Sequence, residues 1–425
     1  MSGNLVVGLD VGTSKVCAVA AELNDRGVVV LGIGEAASKG LRKGIVINMD
    51  ATADSIKKAV TEAEKSAGIR IKSVLAGMSG VHINGLNSYG AIGIRGKEVK
   101  PVDRERAIES AKAIYIPLDR EVLHVLPTEF ILDGQEGIID PVGMAGVRLE
   151  AKVYIITAVA SSVQNLIACC EKAGLDVADI VFSPIASAGA VLSRDEMECG
   201  TVLVDIGGGT TDIVFLRDGA LRYASVLGVG GAHVTNDIAV GLRINVNEAE
   251  KLKRSHGAAF EGLVNDKDEV SMNQAGGNAK TIPAKYISEI IQPRCEEMLG
   301  MIRKEIKACF GYELATCGTV FTGGASLLRG FDKMAESMLG LPVRIGRPVN
   351  IKGQMAAVKG PAYSTCAGLL TYAHESSHKR VLHGDVIEEA VAGLKGWFNG
   401  LLGNKGQIQL NNKKERGMLC LKSRK

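Results

Sequence analysis

Asp205-Ile206-Gly207-Gly208-Gly209-Thr210-Thr211-Asp212 lies in mid-chain, between the apolar runs Thr201 to Val204 and Ile213 to Leu216. Near the N-terminus, Asp10-Val11-Gly12-Thr13-Ser14-Lys15 repeats the arrangement between Leu5 to Leu9 and Val16 to Ala21. Apolar run, glycine turn, apolar run predicts strand, tight turn, strand. Such hairpin tips offer bare backbone N–H groups, and glycine lets phosphate oxygens approach them closely. Two tips facing each other would clamp a polyphosphate from both sides.

The residues around the glycines fit that chemistry. Asp10 and Asp205 each end a strand, where a carboxylate can hold a hydrated Mg²⁺ through its water shell. Thr13, Ser14, Thr210 and Thr211 add hydroxyl donors to the backbone of Gly12, Gly207, Gly208 and Gly209. Lys15 adds a point charge for a phosphate. A third strand-to-glycine turn, Val320-Phe321-Thr322-Gly323-Gly324-Ala325, would let a base or ribose lie against bare backbone. Glu250 and Lys253, one helical turn apart, would reach the ribose and adenine edge. The alternative for that pair is a solvated surface contact.

Length and charge bound the rest. A chain of 425 residues exceeds one compact core and predicts two or more domains. Net charge is +3, yet the segment from Lys405 onward holds seven Lys/Arg against one acid. The body is therefore slightly acidic, which argues against a nucleic-acid partner. Nine cysteines show no CxxC or metal-ligand spacing and read as reduced cytosolic thiols, all nine packed as small buried hydrophobes. No secretory signal and no apolar run long enough to span a bilayer are apparent, so any membrane contact is expected to be peripheral.

Along the chain, helices are expected at Ser55 to Ala67, around Arg104 to Ala113, and at Val163 to Ala173. The segments Ile238–Gly241 and Asn247–Arg254 follow the second glycine turn, and further helices are expected at Ser288 to Phe310 and Pro361 to Tyr372. Strands are expected at Val74 to Met78, Val122–Val125 and Val153–Thr157. Glu261–Lys280 reads as a loop or paired edge strands, and Glu375 to Gly384 as a polar stretch.

Ile387, Ala390, Val391, Leu394, Trp397, Phe398, Leu401 and Leu402 recur along one stripe of a helix. Asp385 and Glu388 would cap its start. Gly393, Gly396 and Gly400 each cost about 1 kcal/mol relative to alanine. Such a segment is expected to fold on a surface, with a Trp/Phe/Leu face typical of an interfacial anchor. The alternative is a terminal helix docked on the protein's own core.

Together these elements resemble the actin-like ATPase superfamily and, within it, the FtsA family of bacterial cell-division proteins. The specific matches are 123–127, 135–137, 141–144 and 147–152 in one region. Others are 204–210, 322–325, 343–346 and 363–365, and the likeness runs to about residue 402. The resemblance implies an α/β, actin-like (duplicated RNase H-like), two-lobed fold with an FtsA-type inserted subdomain. Subdomain 1A would be 1–83, 161–198 and 361–378, and 1C would be 84–160. Subdomain 2A would be 199–243 and 316–360, and 2B would be 244–315. A linker (379–386), an amphipathic membrane-targeting helix (387–402) and a basic, disordered tail (403–425) would follow. Leu394, Trp397, Phe398, Leu401 and Leu402 would enter the membrane.

The resemblance also implies ATP with Mg²⁺ in the cleft, self-association into filaments, and an anionic lipid membrane as support. It implies capture of the acidic C-terminal peptide of the tubulin-like protein FtsZ through Arg294 and Lys285. Downstream division proteins would dock on 84–160. The place of action would be the cytoplasmic side of the cell inner membrane at the septum. In relatives a glutamate before a proline orients the hydrolytic water; here Ser183 precedes Pro184, so slow or undetectable turnover is expected. The tail after 402 departs from the family pattern. The competing reading is an actin-fold ATPase or small-molecule kinase with an unidentified substrate.

Overall fold

A computed structural model describes residues 4–24, 27–273, 279–309, 315–349, 351–353 and 356–383. It opens with the hairpin β1 (Asn4–Val11) and β2 (Lys15–Asn24), then β3 (Gly27–Ala37), β4 (Leu41–Arg42) and β5 (Ile45–Val46). α1 (Met49–Ala67) leads to β6 (Ser73–Met78), β7 (Ile83–Gly93), α2 (Pro101–Lys112), β8 (Arg120–Leu132), β9 (Gln135–Ile138) and β10 (Arg148–Val159). Next come α3 (Ala160–Lys172), β11 (Asp176–Phe182), α4 (Ser183–Val191) and α5 (Arg194–Cys199). The second hairpin, β12 (Thr201–Ile206) and β13 (Thr211–Arg217), continues into β14 (Ala220–Leu227), α6 (Gly231–Leu242) and α7 (Val246–His256). β15 (Glu269–Asn273), β16 (Ala279–Pro283), α8 (Ala284–Cys309), β17 (Thr319–Thr322), α9 (Phe331–Leu339), β18 (Val343–Ile345), β19 (Ile351–Lys352) and α10 (Ser364–His383) complete it.

The duplication expected from the two glycine turns is visible in the sheets. The first sheet has the order β11-β6-β1-β2-β3-β19, and the second, read from its other end, has β18-β17-β12-β13-β14. In both, the hairpin runs antiparallel into a third strand, while the strand carrying the aspartate pairs in parallel with a later strand. The hairpin strands β12 and β13 are buried along nearly their whole length, which explains their continuous apolar runs. Asn48 caps α1 by accepting from Ala51 N–H at 3.0 Å, and Gly68 ends it in the left-handed conformation.

Between β6 and α3 the chain builds a separate four-stranded sheet, β7-β10-β8-β9, with its own core. Val99, Ala107 and Ala111 from the α2 side pack there on Phe130, Leu132, Leu149, Val153 and Ile155. On the second half, α6, α7 and α8 share a core with β12, β13 and α9 through Ile238, Leu252, Ile291, Leu299 and Phe331.

Several expectations need adjustment. α8 begins at Ala284, ahead of the expected Ser288, and contains Pro293. α10 runs through Glu375 to His383, because polarity alone does not end a helix; no glycine or proline intervenes before Gly384. Residues 316–360 do not all stay with the second sheet. Ile351 and Lys352 pair in parallel with Val28 and Val29, completing the free edge of β3 in the first sheet. Cysteines are not uniformly buried: Cys17, Cys169, Cys170, Cys295 and Cys366 are, whereas Cys199 is exposed and Cys317 is half-buried. Those two sit at the ends of elements, where the core no longer covers them. Backbone contacts divide the chain into 1–372 and 373–425, and of the latter only the end of α10 is described. The amphipathic stripe, with Leu394, Trp397, Phe398, Leu401 and Leu402, lies outside the described residues.

Candidate functional site: a cleft between two glycine hairpins

The two hairpin tips close in the same way. Gly12 N–H donates to Lys15 O at 3.0 Å, and Gly207 N–H donates to Thr210 O at 3.0 Å. They also meet each other. A Cβ placed on Gly208 would lie 1.9 Å from Ser14 Oγ, and one on Gly209 would lie 2.7 Å from Thr13 Oγ1. Thr13, Ser14, Gly208 and Gly209 are therefore brought together as the sequence led us to expect, and only bare backbone fits at the contact. Thr13 Oγ1 also accepts from Gly44 N–H at 3.3 Å.

Asp10 and Asp205 lie behind the tips, near the C-terminal ends of strands that pair in parallel with a later one, the usual ligand edge of an α/β sheet, and Asp212 lies at the start of β13. Ser187 of α4 donates to Asp205 Oδ2 at 2.7 Å and lies 3.1 Å from Thr365 Oγ1 on α10. Ser79, just past β6, donates to Asp212 Oδ1 at 2.5 Å. Burial pushes the Asp10 carboxyl up to about 6, with Lys15 opposing and Asp205 adding to the rise. Burial likewise pushes Asp205 up to about 6 against the Ser187 hydrogen bond. Asp212 rises well above the usual carboxylate range, through burial first and then repulsion from Asp205, against its Ser79 bond. Lys15 offsets only part of this for Asp10, and burial still holds all three acids above their ordinary range. Among the described residues no group of three or more His, Cys, Asp or Glu side chains is placed to hold a metal ion directly. Carboxylates of this kind suit a cation held through its water shell, as Mg²⁺ prefers.

Lys15 is placed differently from the expectation of a free phosphate ligand. Its ammonium donates to Glu35 Oε1 at 3.0 Å and to Ala362 O at 3.3 Å, and lies 3.7 Å from the centre of the Tyr363 ring. Thr211 is also committed, donating to Val229 O at 2.8 Å, while Thr210 contributes its carbonyl to the turn. The helix that follows docks on the second tip: Gly231 and Ala232 N–H donate to Gly207 and Gly208 O at 2.9 and 2.8 Å.

The third glycine turn backs onto the same place. Gly323 has φ +83°, and a Cβ there would lie 2.4 Å from Asp205 Oδ1. Gly324 is open, with only Ala362 Cβ within reach, and Ala325 Cβ comes 2.9 Å from the Cβ position of Gly231. Glu250 and Lys253 belong to this wall rather than to a solvated surface. Lys253 Nζ bonds Glu250 Oε2 at 2.6 Å, Thr235 Oγ1 at 2.8 Å and Gly231 O at 3.1 Å. Burial raises the Glu250 carboxyl, but Lys253, Thr235 and Arg254 together pull it below its ordinary value.

Ser183 opens α4, buried, with its Oγ 3.1 Å from where a Cβ on Gly77 would lie. Gly77 in turn pairs with Asp10. Sequence reasoning therefore placed Ser183 near the cleft, but missed Ser187 one turn later, Ser79, Thr365 and the role of Asp212. The visible signal for Ser79 was its position at the end of an apolar strand. Ser187 and Thr365 carry no local signal, because each reaches the site only through a helix that returns to it.

Arg294 and Lys285 lie elsewhere, on α8. Arg294 forks onto Asp237 of α6, with Nε–Oδ2 at 2.6 Å and Nη2–Oδ1 at 3.1 Å, and also bonds Glu297. Lys285 pairs with Asp266 at 3.1 Å and Glu261 at 3.7 Å. Both cations already hold carboxylates of their own chain.

Two mirrored sheets, a glycine hairpin on each and a cleft between them define an actin-like protein. The solved structures agree on that fold. The PilM–PilN type IV pilus biogenesis complex aligns with a TM-score of 0.64 at 18% identity, covering 87% of this chain and 98% of that one. Spiroplasma citri MreB5 bound to ADP aligns with a TM-score of 0.52 at 17% identity, covering 90% and 100%. Within that class, the Cell division protein FtsA profile matches residues 202–368, and the profile of the SHS2 domain inserted in FTSA matches 80–157. The chain is 42% identical to the Pseudomonas aeruginosa cell division protein FtsA over 87% of its length and 89% of the relative's. It is 40% identical to that of Borreliella burgdorferi over 94% and 99%, and 34% identical to that of Bacillus subtilis over 88% and 84%. The chain belongs to the FtsA family of cell-division proteins.

Proposed function

We propose that this protein binds ATP with Mg²⁺ between its two hairpin tips and serves as a polymerising adaptor for FtsZ on the inner face of the cytoplasmic membrane. The observation that carries the nucleotide site is the meeting of Ser14 with Gly208 and Thr13 with Gly209, in front of Asp10, Asp205 and Asp212. Backbone N–H groups of the tips would take the phosphates, and the aspartates would hold hydrated Mg²⁺, which supplies charge neutralisation when bound. Gly323, Gly324, Ala325, Glu250 and Lys253 would face the adenosine. Lys15 would reach a phosphate only by leaving Glu35.

The adaptor role is supported by family membership and by the stripe through Trp397 in the sequence. One short amphipathic helix binds a membrane weakly, and linked copies in a filament would raise its hold by avidity. The basic tail would add up to about 1 kcal/mol per Lys/Arg at an anionic surface. The FtsZ peptide, being acidic, would compete with Asp237, Glu297, Asp266 and Glu261 for Arg294 and Lys285. The inserted region 84–160 would receive later division proteins at the septum. With Ser183 in place of a carboxylate, ATP turnover is expected to be slow; turnover comparable to an active chaperone ATPase would overturn that part.

The test is co-sedimentation of FtsZ with anionic liposomes in ATP and Mg²⁺, with the intact protein and with Trp397→Glu. FtsZ pelleting only with the intact protein supports adaptor and anchor together. The protein pelleting while FtsZ stays in solution removes the partner assignment. If neither pellets, the membrane reading fails and the actin-fold kinase or ATPase alternative takes its place.

A further inference from the structure

The second sheet starts, at the end away from the cleft, with two cysteines that the nucleotide site does not use. Cys199 closes α5 and is exposed; Cys317 lies two residues before β17 and is half-buried. Their backbones are stitched together: Cys317 N–H donates to Gly200 O at 2.9 Å, and Thr316 Oγ1 donates to Cys199 O. The parallel register of β12 and β17 begins with Val202 opposite Thr319, just past the two cysteines. The Cys199 thiol is near enough to act, after burial, on the titration of the Cys317 thiol. Neighbouring strands lie about 4.8 Å apart, and a disulfide spans Cα atoms about 4.4–6.8 Å apart.

We infer that Cys199 and Cys317 are a reversible dithiol–disulfide site, oxidised by a low-molecular-weight disulfide. Cys199 is the entry point, because its thiol is exposed. Burial first, and then the neighbouring Cys199 and Glu196, hold the Cys317 thiol above its ordinary range, which leaves it little thiolate for a first attack. The Cys199 thiolate attacks one sulfur of the small disulfide, forming a mixed disulfide and releasing one small thiolate. The Cys317 thiolate then attacks Cys199 Sγ, forming the internal S–S bond and releasing the second small thiolate. The two protein thiols lose two electrons and two protons, and the small disulfide becomes two thiols. Excess small thiol reverses both steps.

The bond would close the chain around 201–315, which holds α6, α7 and α8, so it constrains that whole lobe in the unfolded state. The other described side chains offer no rival of this kind: Cys17 and Cys366 also approach each other, with Cys366 Sγ 3.4 Å from Cys17 O, but both are buried.

The test is oxidised glutathione added to the full-length native protein, followed by alkylation and peptide mapping without reduction. A linked peptide pair containing Cys199 and Cys317, lost on adding excess reduced glutathione, is the expected result. Cys317→Ser should instead accumulate glutathione on Cys199. The inference is overturned if wild type carries persistent glutathione on Cys199 without closing, or if Cys199 bonds to Cys309, Cys420 or a second copy. It is also overturned if both thiols remain fully alkylated, or if the linked protein melts at a lower temperature than the reduced one, since a bond fitting the native backbone raises or preserves that temperature.

Discussion

Ser79 donates a 2.5 Å hydrogen bond to Asp212, joining the end of β6 in the first sheet to the start of β13 in the second. It is matched by Ser187 on Asp205, so two hydroxyls from the part of the chain before β12 hold two carboxylates of the second sheet. These bonds stabilise the ionised carboxylates only in part, since burial still holds all three acids above their ordinary value.

That imbalance sets a pH dependence. Asp10 and Asp205 titrate at about 6 in the folded protein, against an ordinary 3.8. Between those values the folded state binds more protons than the unfolded chain, so stability from these groups is present at low pH and lost as pH rises through about 6. Asp212→Asn replaces an acid whose ionisation burial and Asp205 oppose and should stabilise the nucleotide-free protein at alkaline pH, with the gain shrinking as pH falls. The same change should weaken Mg²⁺-dependent nucleotide binding. Thermal melts across pH, with and without Mg²⁺ and ATP, check both.

Gly208→Ala drives a methyl into Ser14 and should part the hairpin tips. ATP affinity is expected to fall at least tenfold, or about 1.4 kcal/mol. Tripolyphosphate affinity should fall by a similar factor. Calorimetric titration of both ligands measures this, and unchanged binding would remove the tips from the site.

Lys253→Met separates the two ends of the ligand. The lost bonds to Glu250, Thr235 and Gly231 should cost about 2 kcal/mol of stability, reduced from a fully buried pair because Glu250 keeps Arg254 and some solvent. ATP binding should weaken while tripolyphosphate binding holds. Equal loss for both would place Lys253 outside the adenosine wall.

Tyr154, on the inserted sheet, accepts from Ala224 N–H on β14 at 2.9 Å. Tyr154→Phe leaves that donor without its hydroxyl and should cost about 1–2 kcal/mol. Urea unfolding measures the loss. A change below about 0.5 kcal/mol would mean that the contact contributes little.

The hairpin tips were legible because their chemistry is local. Gly207 to Thr210 and Gly12 to Lys15 each close a turn within four residues, and flanking apolar runs reveal the strands. Extents were less legible: α10 continues past Tyr372 because its polar residues are acceptable in a helix, and β19 crosses to β3 on a pairing that two residues cannot advertise. Lys15 was read as a point charge for a phosphate, and Glu35 and Tyr363, from a neighbouring strand and the approach to α10, decide where it points.

By itself the sequence determined the duplicated strand–turn–strand units, the aspartate ending each strand and the apolar faces that bury them. These depend on period, glycine and composition over a few residues. Only the tertiary structure decided that Ser79 meets Asp212, that Ser187 meets Asp205, that Lys253 is enclosed and that Cys199 lies beside Cys317. Each of those contacts joins separate elements. Their geometry is set by how sheets and helices pack, and packing is a property of the whole chain.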